Sequence, residues 1–95
     1  MTACPVEQGD LAMQHFIVER TFTPPLSDQD LSAVTARMAP CLELHQVRWV
    51  RSHLSGDRQR MVCEYEARDA ETVRKVQHEA QAKFDRVWAG QLIEP

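Results

Sequence analysis

Residues 47–67 read VRWVRSHLSGDRQRMVCEYEA, and this stretch decides the fold. Two β-rich runs, Val47 to Ser55 and Arg60 to Ala67, flank the turn-forming pair Gly56-Asp57. Alternating apolar and polar residues on both sides of such a pair predict an antiparallel hairpin. A two-residue turn at Gly56-Asp57 pairs Ser55 with Arg58. The ladder then sets Val50 opposite Cys63, Ser52 opposite Met61, Trp49 opposite Glu64, Arg51 opposite Val62 and His53 opposite Arg60. Side chains alternate along a strand, so the hairpin separates into two sets. Val50, Ser52, Leu54, Met61, Cys63 and Tyr65 are mostly apolar and suit a core. Trp49, Arg51, His53, Arg60, Val62 and Glu64 mix large apolar groups with charges.

Working toward the N-terminus, HFIVERTF at residues 15–22 reads as a first strand, stopped by Thr23-Pro24-Pro25 because proline cannot continue a ladder. Ser27, with Asp30 three residues on, has the pattern of a helix N-cap. Leu31, Val34, Met38, Cys41 and Leu42 follow at helical spacing and predict a helix to about Leu44. Pro40 is expected to kink it or shorten its last turn. On the other side of the hairpin, Asp69 can cap a second helix, with Val73, Val76, Ala80 and then Phe84 along one face. Its outer side, within RKVQHEAQAK, reads as solvated. A fourth strand is expected from about Asp85 to Ile93.

The order β-α-β-β-α-β has one economical arrangement. Right-handed crossovers put both helices on one face of a four-stranded antiparallel sheet in the order 4-1-3-2. The expected fold is thus α+β, a ferredoxin-like sandwich over residues 15–95. Residues 1–14 read as an N-terminal tail, since Pro5, Gly9 and Asp10 break any period, and Met13, just before the first strong strand, reads as a candidate alternative translation start.

Bulk properties narrow the function classes. Ninety-five residues suffice for one domain, and a core that modest gains from pairing with a second copy. The formal charge of −3 comes from interspersed signs, with no basic stripe for nucleic acid. No run nears the roughly 18 apolar residues of a membrane span. The opening MTACPVEQGD lacks the layout of a secretion signal, so the cytoplasm is the expected location. Three widely spaced cysteines, Cys4, Cys41 and Cys63, form no CxxC pair; they read as one tail thiol and two buried ones.

The first strand extends the two sets. Phe16 and Val18 join the helix-facing side, while Ile17, Glu19 and Thr21 join Trp49, Arg51, His53, Val62 and Glu64. A half-buried face is the compromise that suits such a mixture, with Glu19–Arg51 and Glu64–Arg51 as the expected ion pairs. That face is either a dimer interface held by ion pairs or a ligand pocket, because clustered charges in a cleft also mark functional sites. The candidate ligand-binding residues are Glu19, Trp49, Arg51, His53 and Glu64. The four histidines, His15, His45, His53 and His78, show no HxH or HxxxH spacing, so a metal site has to be assembled in space. His53 beside Glu19 or Glu64 is the best mixed set. His15 and His53 are expected at opposite ends of parallel strands, too far apart to share a metal in one subunit. His45 suits the end of its helix dipole.

The runs FIVERTF, VRWVRS, VCEYEA and FDRV, in that order and spacing, resemble a bacterial family of small proteins of unknown function. The similarity covers about residues 15–95. The resemblance implies a ferredoxin-like fold, pairing into a dimeric α/β barrel and, from one actinobacterial member, nickel binding. Many members carry a histidine in helix two; Val76 stands at that position here and the nearest histidine is His78. The family's Gly-Phe-Pro before the last strand is replaced by Ala82-Lys83-Phe84. His53 and His78 are therefore the candidate metal ligands.

The first functional reading is an uncharacterised small binding protein, a homodimer for nickel or another divalent metal. The alternative is a small dimeric α/β-barrel enzyme, of cofactorless oxygenase or isomerase type. It would act on a small anionic or aromatic substrate, held by His53, Arg51 and Glu19 between sheet and helices.

Overall fold

The structure, a computed structural model, describes residues 13–95. The expected tail largely lies outside the described residues, as does Cys4. The elements are β1 (Gln14–Thr21), α1 (Asp28–His45), β2 (Arg48–Leu54), β3 (Arg60–Ala67), α2 (Ala70–Glu79) and β4 (Arg86–Gly90). All strand pairs are antiparallel, and the sheet order is β2-β3-β1-β4. This is the ferredoxin-like α+β sandwich the sequence predicts. Along β1 and β3 the even residues of one and the odd of the other turn inward. Phe16, Val18, Met61, Cys63 and Tyr65 meet Val73, Val76 and Ala80 of α2 and Met38 of α1 in one core. No helix among the described residues is long and apolar enough to cross a membrane.

Local chemistry fixes the helix ends. Ser27 Oγ accepts the Asp30 N–H at 3.0 Å, satisfying one of the orphan donors at the start of α1. At the start of α2, Asp69 Oδ1 accepts both the N–H and the hydroxyl of Thr72, at 2.7 and 2.6 Å. These two bonds hold the Asp69 carboxyl below its ordinary value. Both helices end with a glutamine in the left-handed region, Gln46 at φ 57° and Gln81 at φ 55°. The Val47 N–H then returns to Leu42 O at 2.9 Å, and the Ala82 N–H to Gln77 O at 2.8 Å, as in a Schellman close. Arg37 of α1 donates to the carbonyls just past the end of α2, from Nε to Ala80 O at 2.7 Å and from Nη2 to Gln81 O at 3.2 Å. α1 runs through Pro40 to His45.

Four expectations change. The hairpin loop is longer than two residues: the Ser55 N–H donates to Arg60 O, so Gly56 to Gln59 form the loop. The carbonyls of Arg58 and Gln59 are occupied by the N–H groups of Leu26 and Phe22, which follow β1. The pairing becomes Arg51 with Glu64, Ser52 with Cys63 and His53 with Val62. This is a slip of two residues, which preserves the facing of these side chains. β4 stops at Gly90, because Gly90 pairs with His15 and β1 extends only one residue further. α2 ends before Phe84, which reaches the core from the following loop. Gln77, expected on the solvated side of α2, is fully buried; it approaches the Tyr65 hydroxyl, but neither amide atom reaches hydrogen-bonding geometry.

Candidate functional site

The face of the sheet away from the helices carries a cluster around Glu64. β3 lies between β1 and β2, so Glu64 has Ile17 on one side and Arg51 on the other. The histidines reach it diagonally, since His15 pairs with Glu66 and His53 with Val62. His15 Nε2 lies 3.2 Å from Glu64 Oε1, Arg51 Nη1 lies 3.3 Å from the same oxygen, and His53 Nε2 lies 3.5 Å from Oε2. The Glu64 side chain is only 12% exposed, whereas those of Arg51 and His53 are largely open to solvent. One shielded carboxylate thus gathers two imidazoles and a guanidinium. His15 and His53, expected to be remote, converge because each leans toward the central strand.

Glu19 belongs to a neighbouring cluster. It pairs with Arg86 of β4, at 3.6 Å, and accepts the Trp88 indole N–H at 2.6 Å. The expected Glu19–Arg51 pair is not formed, because β3 separates the two strands; Glu64–Arg51 is. The exposed Trp88 ring lies beside Gly90, where a Cβ would come within 3.1 Å of it. Ile17 and Val62, both half-buried, complete an apolar strip between the clusters.

Trp49 departs from the expected face. The β2–β3 register shifts between Trp49 and Arg51, and Trp49 pairs with the inward-facing Tyr65. The bulge adds one residue, and one residue is enough to turn a side chain to the other side of a sheet. Trp49 lies on the helix side, where its Nε1 donates to Ser52 Oγ at 2.8 Å. There it borders a cavity of about 330 Å³ between α1 and the sheet. Arg51, His53 and Glu19 do not line this cavity, so the substrate pocket anticipated for them is not formed.

His78 lies on α2, edge-on to Phe84 with ring centroids 5.5 Å apart, on the layer opposite His53. The structure does not bring these two expected ligands together in one subunit. Among the described residues no group of three or more His, Cys, Asp or Glu side chains is arranged to hold a metal ion. His45 of α1 contacts Glu79 of α2 at 2.8 Å and so links the two helix ends. Cys63 is buried and Cys41 partly so, both as free thiols.

Sequence reading missed Arg20, which follows Phe16 and Val18 at period two and is correspondingly inward-facing and 6% exposed. Its Nη2 donates to the Tyr65 hydroxyl and its Nη1 to Lys83 O, both at 3.0 Å. Burial, with Cys63 adding to it against the opposing pull of Arg20, pushes the Tyr65 hydroxyl up to about 12.

A family model described as nickel responsive protein SCO4226-like matches residues 16–89. The chain belongs to the SCO4226-like family. A solved relative carries the same architecture: the crystal structure of SCO4226 from Streptomyces coelicolor A3(2) superposes with a TM-score of 0.74. It is 18% identical, covering 84% of this chain and 99% of that one. At that identity the likeness to SCO4226 speaks for the fold alone. No curated protein matches the chain.

Proposed function

We propose that this SCO4226-like chain is a small divalent-metal-binding protein, nickel first among the metals, acting as a homodimer through the open face of its sheet. The observation that carries the reading is the convergence of His15 and His53 on the shielded carboxylate of Glu64. Imidazole nitrogen and carboxylate oxygen are donors that nickel(II) accepts. The donor types fit, but one subunit does not complete a site from its described residues. A second copy, packed against Ile17, Val62 and the exposed Trp88, brings a second set of the same groups. Arg51 competes for Glu64 Oε1, so a bound metal has to displace it.

Calorimetric titration with nickel chloride, alongside sedimentation, tests this. Nickel is expected to bind a dimer, with affinity falling by about tenfold or more in His15→Ala and in His53→Ala, roughly one lost ligand each. Arg51→Ala is expected to strengthen binding, since it removes the competing cation. A monomer at micromolar concentration, or nickel affinity indifferent to both histidines, overturns the reading. The enzyme alternative has the helix-side cavity in its favour, but the residues first assigned to its substrate, Glu19, Arg51 and His53, are on the opposite face.

A further inference from the structure

The helix side of the sheet holds chemistry that metal binding does not use. α1 has eighteen residues, of which only Met38 is buried, whereas the ten-residue α2 buries three. The apolar stripe of α1, Leu31, Val34, Met38 and Leu42, packs against the edge of the core but stays largely unburied, because it also borders a cavity. Across the cavity stand Trp49, Met61 and Cys63. Its size falls within the range of small-molecule pockets, which combine apolar walls with a few placed polar groups.

Arg20 supplies the placed polar group. It lines this cavity, is buried, and has no carboxylate partner among the described residues. Its two hydrogen bonds go to neutral oxygens, which leaves donors of the five-donor guanidinium unused. A buried cation is costly unless an anion meets it, and a bidentate carboxylate is the best match for the guanidinium fork. The cavity's other cations are Arg37 and Lys83; Asp30, in the exposed first turn of α1, is its one carboxylate. Electrostatics thus favour an anion at the Arg20 end and an apolar body along α1.

We propose that this cavity is a binding site for an amphiphilic monocarboxylate, its carboxylate on Arg20 and its aliphatic or aromatic body between α1 and Trp49. The site is independent of the metal reading, because none of His15, His53 and Glu64 borders it.

Decanoate and decan-1-ol, which differ only in the head group, are the probes. The chain's two tryptophans lie on opposite faces, so Trp88→Phe leaves Trp49 emission as the sole reporter of the cavity. In that background decanoate is expected to shift Trp49 emission and to bind at least about tenfold more tightly than decan-1-ol, the margin of one charged contact. Arg20→Met is expected to abolish that margin while leaving decan-1-ol affinity unchanged. Ala33→Phe, on the exposed side of α1 at the cavity wall, adds bulk without a second indole and is expected to weaken both probes without touching Arg20. Glu64→Gln is expected to alter neither. Equal binding of the two probes, no response of Trp49, or decanoate affinity unchanged in Ala33→Phe overturns the site; the last outcome does so even where Arg20→Met fails to fold.

Discussion

Raising the pH from 9 to 12 is expected to destabilise the fold through Tyr65, the only tyrosine in the chain. The native hydroxyl is pushed from 10.0 to about 12, chiefly by burial. Below pH 10 both folded and unfolded chains hold the phenolic proton. Between 10 and 12 the unfolded chain releases it while the folded chain retains it, so stability falls as pH rises. A hundredfold difference in proton affinity corresponds to about 3 kcal/mol of stability lost across that window. Urea unfolding at successive pH values reads the loss, and near-ultraviolet absorbance of tyrosinate reads the titration with no other tyrosine to confuse it. Tyr65→Phe is the control. It is expected to start less stable by about 1–3 kcal/mol, because Arg20 loses an acceptor in the interior, but to lack the alkaline decline due to tyrosine. A native titration centred near pH 10, in a protein still folded by circular dichroism, refutes the reasoning.

Gln46→Gly is expected to stabilise the protein by about 0.5–1 kcal/mol, seen as a melting temperature higher by roughly 3–6 °C, because glycine relieves the left-handed residue that closes α1. Val76→Ala, at a position with no solvent exposure, is expected to cost about 2–3 kcal/mol in denaturant unfolding, the combined price of lost burial and a new void. Asp69→Ala is expected to fray the start of α2, measured as faster amide exchange around Thr72. The folded carboxyl titrates lower than the unfolded one, so the cap's support is full above the ordinary carboxylate range and fades as pH falls through the lowered value.

The sequence was most legible where a period could be counted. Alternation in β1 and β3 places Phe16, Val18, Cys63 and Tyr65 inward, and Ser27 and Asp69 mark both helix starts by their capping chemistry. A two-residue slip in the hairpin left the facing of Arg51 and His53 intact, because strand periodicity is itself two. The single extra residue beside Trp49 did the opposite, and nothing in RWVRS announces it. Arg20 was legible in principle: its register with Phe16 and Val18 points inward, but an arginine is ordinarily read as surface. The Glu64 cluster depends on diagonal reach across three strands, which pairwise registers do not express.

The strand order has a consequence for how the chain finds this shape. Among the described strands only β2 and β3 are joined by a short loop, while β1, in the middle of the sheet, has both partners far along the chain. Closing such long intervals is entropically slow, so the β2–β3 hairpin is the natural early structure and β1 must wait for it. β1, the earliest of the described strands in the chain, is therefore among the last of them to be paired, and the hairpin carrying Arg51, His53 and Glu64 is the scaffold on which it docks.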